Sequence, residues 1–296
     1  MRRVTFDTDA MRSFVLGIEL GSFAQAADRL GRSTSAISAQ LKRLEEQAGT
    51  SLVRKVGRQL VLTEAGETMF GYARRMLDLN DEAAMALREA GLEGGVRLGL
   101  QEDFGEMLLA DVLTRFARAY PKVKMEARVA RNRELTDAVQ SGKLDLAVIW
   151  GDAEASPLAQ RLADVPMRWV GGVREGLRVE CERPLPIVAF DPPCLFRQAA
   201  TVALDRAGIA WRSAFTSPNL GGLWAATAAG LGVTVRTGIE LPPRVRVLNP
   251  VQAKLPPLPS IPVVMLRHSG ALAPPAAQLA AIVSEAVREA TQRSER

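Results

Sequence analysis

The sequence predicts three parts: a small helical head ending in two short strands, a long connecting helix, and an α/β body. Three observations predict them. The first fifty residues carry apolar side chains at helical spacing, in runs broken at Gly21 and Gly31. A proline-free run from Thr63 to about Gly91 then repeats apolar or small residues every three or four positions. Beyond Gly95, short β-branched runs alternate with helical ones, the pattern of a parallel α/β sheet. With 296 residues the chain has room for two or more domains with real cores.

Composition removes several classes. Cys181 and Cys194 lack metal-site spacing and there is one histidine, so neither a zinc site nor a disulfide framework is expected. Cys194 reads as a plain thiol, with a redox sensor as the alternative. "MRRVTFDTDAMRSF" has no apolar signal-peptide core, and no apolar run reaches about 18 residues. A soluble cytoplasmic protein is expected. Net charge is +5, and residues 1–62 hold ten basic and six acidic side chains, which leaves +4 there and +1 in the rest. A basic head on a nearly neutral body suits a polyanion.

Met11, Phe14, Val15 and Ile18 form the stripe of a first helix. Ser22 is placed to cap a second, where Ala24, Ala27 and Leu30 offer a face for close approach. Gly31 is a sharp turn, and Ser33 or Thr34 caps a third helix. There Ile37, Leu41 and Leu44 must face inward, which turns Ser35, Ser38, Ala39 and Lys42 outward. That outer face is short, polar and lightly basic. A helix-turn-helix needs this arrangement, because small donors can reach base edges and phosphates. An ordinary three-helix bundle would show the same spacing. "TSLVRKVGRQLVLTEAG" then reads as two strands around a basic turn, a wing whose Arg54, Lys55 and Arg58 suit phosphate or minor-groove contact.

The stretch "SFAQAADRLGRSTSAISAQLKRLEEQAGTSLVRKVGRQLVLTEAGE" closely resembles the N-terminal module of LysR-type transcriptional regulators. It carries the Gly-Ser-Phe start, the paired alanines, the serine-rich helix start, the Leu-Glu-Glu end and the Leu-Thr-x-Ala-Gly. The resemblance implies a winged helix-turn-helix over 1–62, with Ser33, Thr34, Ser35, Ser38, Gln40 and Arg43 near DNA. Ser22, Arg32 and Lys42 join the candidate DNA contacts with the three wing residues. The chain departs from the family at Thr34-Ser35, where Gln-Pro is frequent, and at Ala39 and Val53, where Arg and Phe are frequent. The first two departures lie on the reading face and leave the operator sequence open.

Residues 63–92 read as a linker helix. Thr63 with Glu64 and Glu67 makes a capped, acidic first turn. Ala65, Met69, Tyr72, Met76, Leu79, Ala83, Ala86 and Ala90 form a seam with a period of about 3.5. Such a seam pairs two copies, and a LysR-like chain is expected to dimerise on it. Packing on its own domain is the alternative.

Gly91, Gly94 and Gly95 form a hinge before the body, residues 93–296. "VRLGL", "VKMEARV", "DLAVIW", "MRWVGGV", "LPIVAF", "AWRSAF", "GVTVR" and "IPVVMLR" read as strands, and "VKMEARV" should bury Val123, Met125, Ala127 and Val129 on one face. Helices are expected at Gly105–Tyr120, within "RELTDAVQSGKLD", at Leu195–Ala207, Leu220–Ala229 and Ala276–Thr291. The order resembles the LysR effector domain, with "GKLDLAVI" and "AAGLGVTV" echoing its patterns. That implies two α/β lobes of periplasmic-binding-protein type, lobe I at about 93–164 and 268–296 and lobe II at about 165–267. "PPCLFRQAA" and "AGIAWRSAFTS" resemble a subgroup linked to motility and exoenzyme repression.

Open parallel sheets bind ligands beyond the carboxyl ends of their strands. This selects Gln101–Phe104, Ala130–Arg133, Trp150–Asp152, Asp191–Arg197, Ser217–Leu220 and Thr234–Arg236. The candidate effector contacts are Glu102, Asp103, Phe104, Arg131, Asn132, Trp150, Cys194, Arg197, Ser217, Asn219, Leu220 and Thr234. The amides of Asn219, Leu220 and Gly221 should stand free at a helix N-terminus. Glu102 and Asp103 would suit a cationic effector, or Asp103 and Glu106 form a capping box. Arg131, Arg133 and Arg197 would equally suit a carboxylate.

An effector-responsive transcription factor accounts for the head, the seam and the cleft together. A cytoplasmic small-molecule binder accounts for the cleft alone. An enzyme on the two-lobed fold lacks a Gly-x-Ser-x-Gly, a metal-ligand set and a dinucleotide fingerprint. No cofactor is expected, and His268 reads as a surface or interlobe residue. The expected partners are operator DNA, a small-molecule effector, and a second copy of the chain, in a family that is commonly tetrameric. RNA polymerase is a further partner for such a regulator, and no membrane is expected.

Overall fold

The computed structural model describes residues 4–56, 59–88, 92–151, 158–173 and 184–294. They form two compact units, Met1–Ala90 and Gly91–Arg296.

In the first unit, helix α1 (Thr8–Glu19) starts where Asp7 accepts from the amides of Asp9 and Ala10. Helix α2 (Phe23–Leu30) is capped by Ser22 and closes at Gly31, whose φ of 62° suits glycine. Helix α3 (Thr34–Ala48) is capped by Ser33. The core gathers Ala10, Met11, Phe14, Val15, Leu44 and Leu52, with Ala73 and Leu77 from α4 (Glu64–Arg88). On α2 the buried alanines are Ala26 and Ala27, while Ala24 is exposed. The buried face is thus shifted from the expected one, with Ala27 common to both and Ala26 in place of Ala24.

Two motif residues acquire physical reasons here. Glu45 Oε1 accepts from the amides of Leu52 and Val53 at 2.8 and 3.3 Å, so it anchors the chain entering β1 (Val53–Val56). Gly66 lies so close to the Leu52 carbonyl that a Cβ would stand 1.9 Å from its oxygen. Strand β2 (Gln59–Leu62) pairs antiparallel with β1, Val53 opposite Leu62 and Val56 opposite Gln59. Thr63 Oγ1 accepts from the Gly66 amide at 3.0 Å and opens α4. Arg12 reaches Asp81 on α4 at 2.8 Å.

The second unit is built on a mixed sheet ordered β10-β6-β11-β5-β3-β4, with β9 also on β6. These are β3 (Gly94–Gln101), β4 (Val123–Ala130), β5 (Leu146–Trp150), β6 (Ala159–Gly172), β9 (Thr234–Thr237), β10 (Val245–Val247) and β11 (Ser260–Arg267). Strands β3, β4 and β5 are parallel, as expected. The pairings of β6, β9, β10 and β11 are antiparallel, which strand–helix alternation did not predict. Strand β6 explains the difference, because it serves both lobes. Its Ala159–Pro166 half pairs with β11, and its Met167–Gly172 half with β9 and β10.

The chain returns to lobe I earlier than the expected Arg267. Val263–Arg267 of β11 pairs with Trp150–Leu146 of β5 and so lies in the lobe I sheet. Strands β7 (Leu185–Phe190) and β8 (Trp211–Ser217) form a parallel pair in lobe II. Helices α5 (Glu102–Ala119), α6 (Asn132–Gln140) and α9 (Pro274–Ser294) pack in lobe I, and α7 (Leu195–Arg206) and α8 (Leu220–Ala228) in lobe II. Strand β4 is an edge strand with Ala127 and Val129 exposed, so the one-sided burial expected of it holds only at Val123 and in part at Met125. His268 lies within lobe I. Its Nδ1 is 2.9 Å from the Val139 carbonyl, and it bridges no lobes.

Candidate functional site

The outer face of α3 is built by what its inner face must do. Ile37 and Leu44 are fully buried, which turns Ser33, Thr34, Ser35, Ser38 and Lys42 into solvent. Ser33 Oγ already caps Ala36 N at 3.2 Å, and Ser38 Oγ donates to the Thr34 carbonyl at 2.9 Å. Four other candidates are committed within the head. Ser22 caps α2 through Gln25 N. Gln40 turns inward, where its Oε1 accepts from the buried Ser13 Oγ, so it is a brace between α1 and α3 rather than part of the exposed face. Arg32 pairs with Asp9 at 2.8 Å, and Arg43 with Asp7 at 3.0 Å. Both guanidinium groups therefore lean on the acidic start of α1. Lys42 is 3.9 Å from Glu46. Arg54 and Lys55 stand exposed on β1, and Arg58 lies outside the described residues.

Helix α4 divides its seam between two uses. Ala65 and Met69 pack into the head, and Phe70 meets Phe14 edge-on. Tyr72, Met76, Leu79 and Ala83 face solvent on one stripe. Ala86 lies on the described part of α4, and Ala90 lies outside the described residues.

In the second unit, polar groups from lobe I reach across to lobe II. Glu102 Oε2 accepts from the Leu220 amide at 2.6 Å. Asp103 accepts from Trp150 Nε1 at 3.0 Å and lies 3.4 Å from Arg236 Nε. Arg131 donates to the carbonyls of Asp191, Pro193 and Pro218 at 3.1, 3.3 and 3.4 Å, with its guanidinium 4.2 Å from the Phe190 ring centroid. Asn132 binds the Trp150 backbone from both ends of its amide. Burial pushes the Glu102 carboxyl above its ordinary pKa, and the Leu220 amide, Arg131 and Arg236 offset this in part. Glu106 is raised as well, by burial and then by the neighbouring Asp103 charge.

Two cavities flank these contacts and share Trp150 as a wall. One of 360 Å³ is lined by Arg131, Asn132, Phe190, Cys194, Phe196 and Arg236, among others. The other, of 200 Å³, is lined by Asp103, Glu106, Leu220, Trp224 and Glu240, among others. No cluster of His, Cys, Asp or Glu among the described residues is arranged to hold a metal ion. No described helix is long and apolar enough to cross a membrane.

A helix-turn-helix with a wing, followed by two α/β lobes around a crossover strand, matches two family models. Residues 8–67 match the bacterial regulatory helix-turn-helix protein, lysR family, and residues 89–288 match the LysR substrate binding domain. The chain belongs to the LysR family of transcriptional regulators. It is 33% identical over 265 residues to the HTH-type transcriptional regulator PecT of Dickeya dadantii (strain 3937), covering 90% of this chain and 83% of that one. To DgdR of Burkholderia cepacia it is 34% identical over 263 residues, covering 88% and 87%. The fold is also that of DarR from Vibrio fischeri, solved in complex with DNA, at a TM-score of 0.54 and 16% identity over 95% of this chain and 99% of that one. This LysR-type regulator is thus a DNA-binding transcription factor with a substrate-binding domain, and its relatives are regulators, not enzymes.

Several expected effector contacts in this regulator have other tasks. Phe104 is fully buried in the lobe I core, 4.4 Å from the Trp150 ring centroid, so it supports the cleft wall from behind. Gln101 caps α5 through Asp103 N, so the Asp103–Glu106 capping box is not formed. The amides at the start of α8 are not all free. Leu220 N is taken by Glu102, Asn219 N lies on Ser217 Oγ at 3.2 Å, and Asn219 Oδ1 caps Gly222 N at 2.9 Å. Ser217 and Thr234 are buried and line neither cavity. Arg197 turns to the Phe190 carbonyl at 3.5 Å and lines neither. Cys194 caps α7 and lines the larger cavity. The sequence reading missed the weight of Arg236, Phe190 and Phe196. An arginine ending the apolar strand "GVTVR" was the available signal, since a charge is rarely placed on a buried strand without a task.

Proposed function

We propose that the chain binds operator DNA through α3 and the β1–β2 wing, and that a small molecule in the interlobe cleft modulates that binding. One observation carries this reading. The face of α3 bearing Ser33, Thr34, Ser35, Ser38 and Lys42 is exposed and free of bulky side chains, while Ile37 and Leu44 opposite are buried. A helix with that face can enter a major groove. Arg54 and Lys55, with Arg58, supply the phosphate contacts, which position the module without reading sequence.

The exposed stripe of Tyr72, Met76, Leu79 and Ala83 pairs two copies, so residues 1–62 act as the reading module and 63–92 as the dimerisation helix. Residues 93–296 act as the effector domain, and dimers pair further into tetramers. The regulator works in the cytoplasm, where its DNA lies, and meets RNA polymerase at the promoter. "PPCLFRQAA" and "AGIAWRSAFTS" favour the subgroup linked to motility and exoenzyme repression.

The test is a gel shift of the full-length protein on the DNA upstream of its own gene. Affinity should fall linearly with salt on a log–log plot, because neutralised phosphates release counterions. A library screened by thermal shift tests the effector role. A ligand at about 100 times its dissociation constant stabilises by about 2.7 kcal/mol, and should then change operator affinity. Salt-independent DNA binding would remove the reading module as placed. A stabilising ligand that leaves operator binding unchanged would remove the regulatory link.

A further inference from the structure

We propose that the 360 Å³ cavity binds a small organic anion, a carboxylate on a compact apolar body, and that Arg236 is its buried anchor. This rests on the reading of the interlobe cleft as the effector site. It goes further by assigning the chemical class and the group that selects it.

Arg236 is 1% exposed, and its Nε and Nη2 have no hydrogen-bond acceptor among the described residues. Its guanidinium lies 4.3 Å from the Phe190 ring centroid and 4.7 Å from that of Phe196. Asp103 Oδ1, at 3.4 Å from Nε, offsets the charge without satisfying these donors. A buried guanidinium with unused N–H groups is costly. An anion entering the cavity that Arg236 lines would supply the missing acceptors in the planar, two-pronged geometry that guanidinium and carboxylate share.

The lining charges agree. Among the described residues, Arg131, Arg133 and Arg236 line the cavity against one carboxylate, Asp191. The acidic groups Glu102 and Asp103 do not line it, and each is engaged elsewhere, on Leu220 N and on Trp150 Nε1. Glu102 also holds the start of α8, the other anion-seeking position in the cleft. The protein's own carboxylate thus fills the helix terminus and leaves the arginine side for a ligand. Trp150, Phe190, Pro192, Pro193, Leu195 and Phe196 make the remaining wall mostly apolar. That wall argues against inorganic phosphate and for an organic acid. At 360 Å³ the space sits near the small end of the range of about 300–1,000 Å³ for ligand pockets.

The test uses three probes of one shape, benzoate, benzamide and benzamidinium, titrated into the full-length protein by calorimetry and thermal shift up to 20 mM (a concentration of about that order covers weak probes of this size). Benzoate should bind at least about tenfold more tightly than either analogue, a preference of about 1.4 kcal/mol. Arg236→Met should bring benzoate and benzamide to within about twofold, and Arg236→Lys should keep part of the preference. Gln198→Trp, at an exposed position on the cavity wall, should abolish binding of all three. Equal or tighter binding of benzamide or benzamidinium, or no benzoate binding at 20 mM, overturns the assignment of an organic anion. If Gln198→Trp blocks binding while charge makes no difference, the cleft site stands and the anion class falls. If benzoate binds undiminished to both Arg236→Met and Gln198→Trp, the cleft site itself falls. Should Arg236→Met fail to fold, Arg236→Lys and the probe series on the wild-type chain decide.

Discussion

Leu79 is the sharpest handle on self-association. It stands 59% exposed on α4, on the stripe that includes Met76 at 43% and Tyr72 at 60%. Fully burying a leucine contributes about 1.5–3 kcal/mol, so covering the exposed 59% of Leu79 contributes about 1–2 kcal/mol per copy. A two-fold contact uses the residue twice, so Leu79→Lys removes about 2–4 kcal/mol and adds repulsion between like charges. At about 1.4 kcal/mol per tenfold, the dimer dissociation constant rises by about 30- to 700-fold. The fold itself should hardly respond, because exposed substitutions on a helix stay within about 0.5 kcal/mol. Sedimentation velocity of the full-length protein over a dilution series measures the association, and thermal melts of the same samples report the fold. A Leu79→Lys protein that melts like the wild type and still dimerises with unchanged affinity would refute the stripe as the contact.

Other perturbations test the remaining parts. Thr34→Ala or Ser38→Ala should alter preference among base pairs by about 1–3 kcal/mol at one half-site position, read by binding-site selection. Lys42→Ala or Arg54→Ala should weaken all sequences by similar factors and lower the salt slope by about one each. If the four variants behave alike, α3 does not read bases as placed. Gly66→Ala forces a Cβ to within 1.9 Å of the Leu52 carbonyl oxygen, so the head should lose at least about 3 kcal/mol, the top of the overpacking range. Chemical denaturation reports it, and a loss below about 1 kcal/mol would mean that the β1–α4 junction is looser than its geometry implies. Glu102→Gln probes the interlobe contact through pH. Burial raises the carboxyl pKa in the folded chain above its unfolded value, so the folded chain binds more protons. That stability is fully present below the unfolded pKa and is lost as pH rises through the folded one. Glu102→Gln keeps an acceptor for Leu220 N without the charge, so its melting temperature should gain on the wild type across that window. Parallel curves from pH 4 to 8, a span about the ordinary carboxylate value, would show that Glu102 is not desolvated as described.

Residue order alone was enough to locate the helices of the head and their caps. These helices are short, local and separated by glycines. Ser22 and Ser33 each accept from an amide three residues on, and the Gly31 amide donates to carbonyls three and four residues back. The amphipathic phase of α3 likewise dictated that Ser35, Ser38 and Lys42 face outward once Ile37 and Leu44 turned in. The alternation of strands and helices indicated an α/β sheet, because each element must bury one face against the next, and the family resemblance implied its division into two lobes. The seam on α4 was also legible, although periodicity could not say that Ala65 and Met69 serve the head while Tyr72, Met76 and Leu79 do not. Only the tertiary structure decided the cleft. Glu102 meets Leu220 across 118 positions, and Arg131 meets Pro218 across 87. Their side chains were eligible ligands by type and by place at strand ends. Whether such a group serves a ligand or the opposite lobe depends on which atoms the fold brings within about 3 Å, and nothing in local spacing carries that distance. Arg236 shows the converse. Its sequence neighbours make it the end of an apolar strand, and its weight comes from Phe190, Phe196 and Asp103, which reach it from elsewhere in the chain.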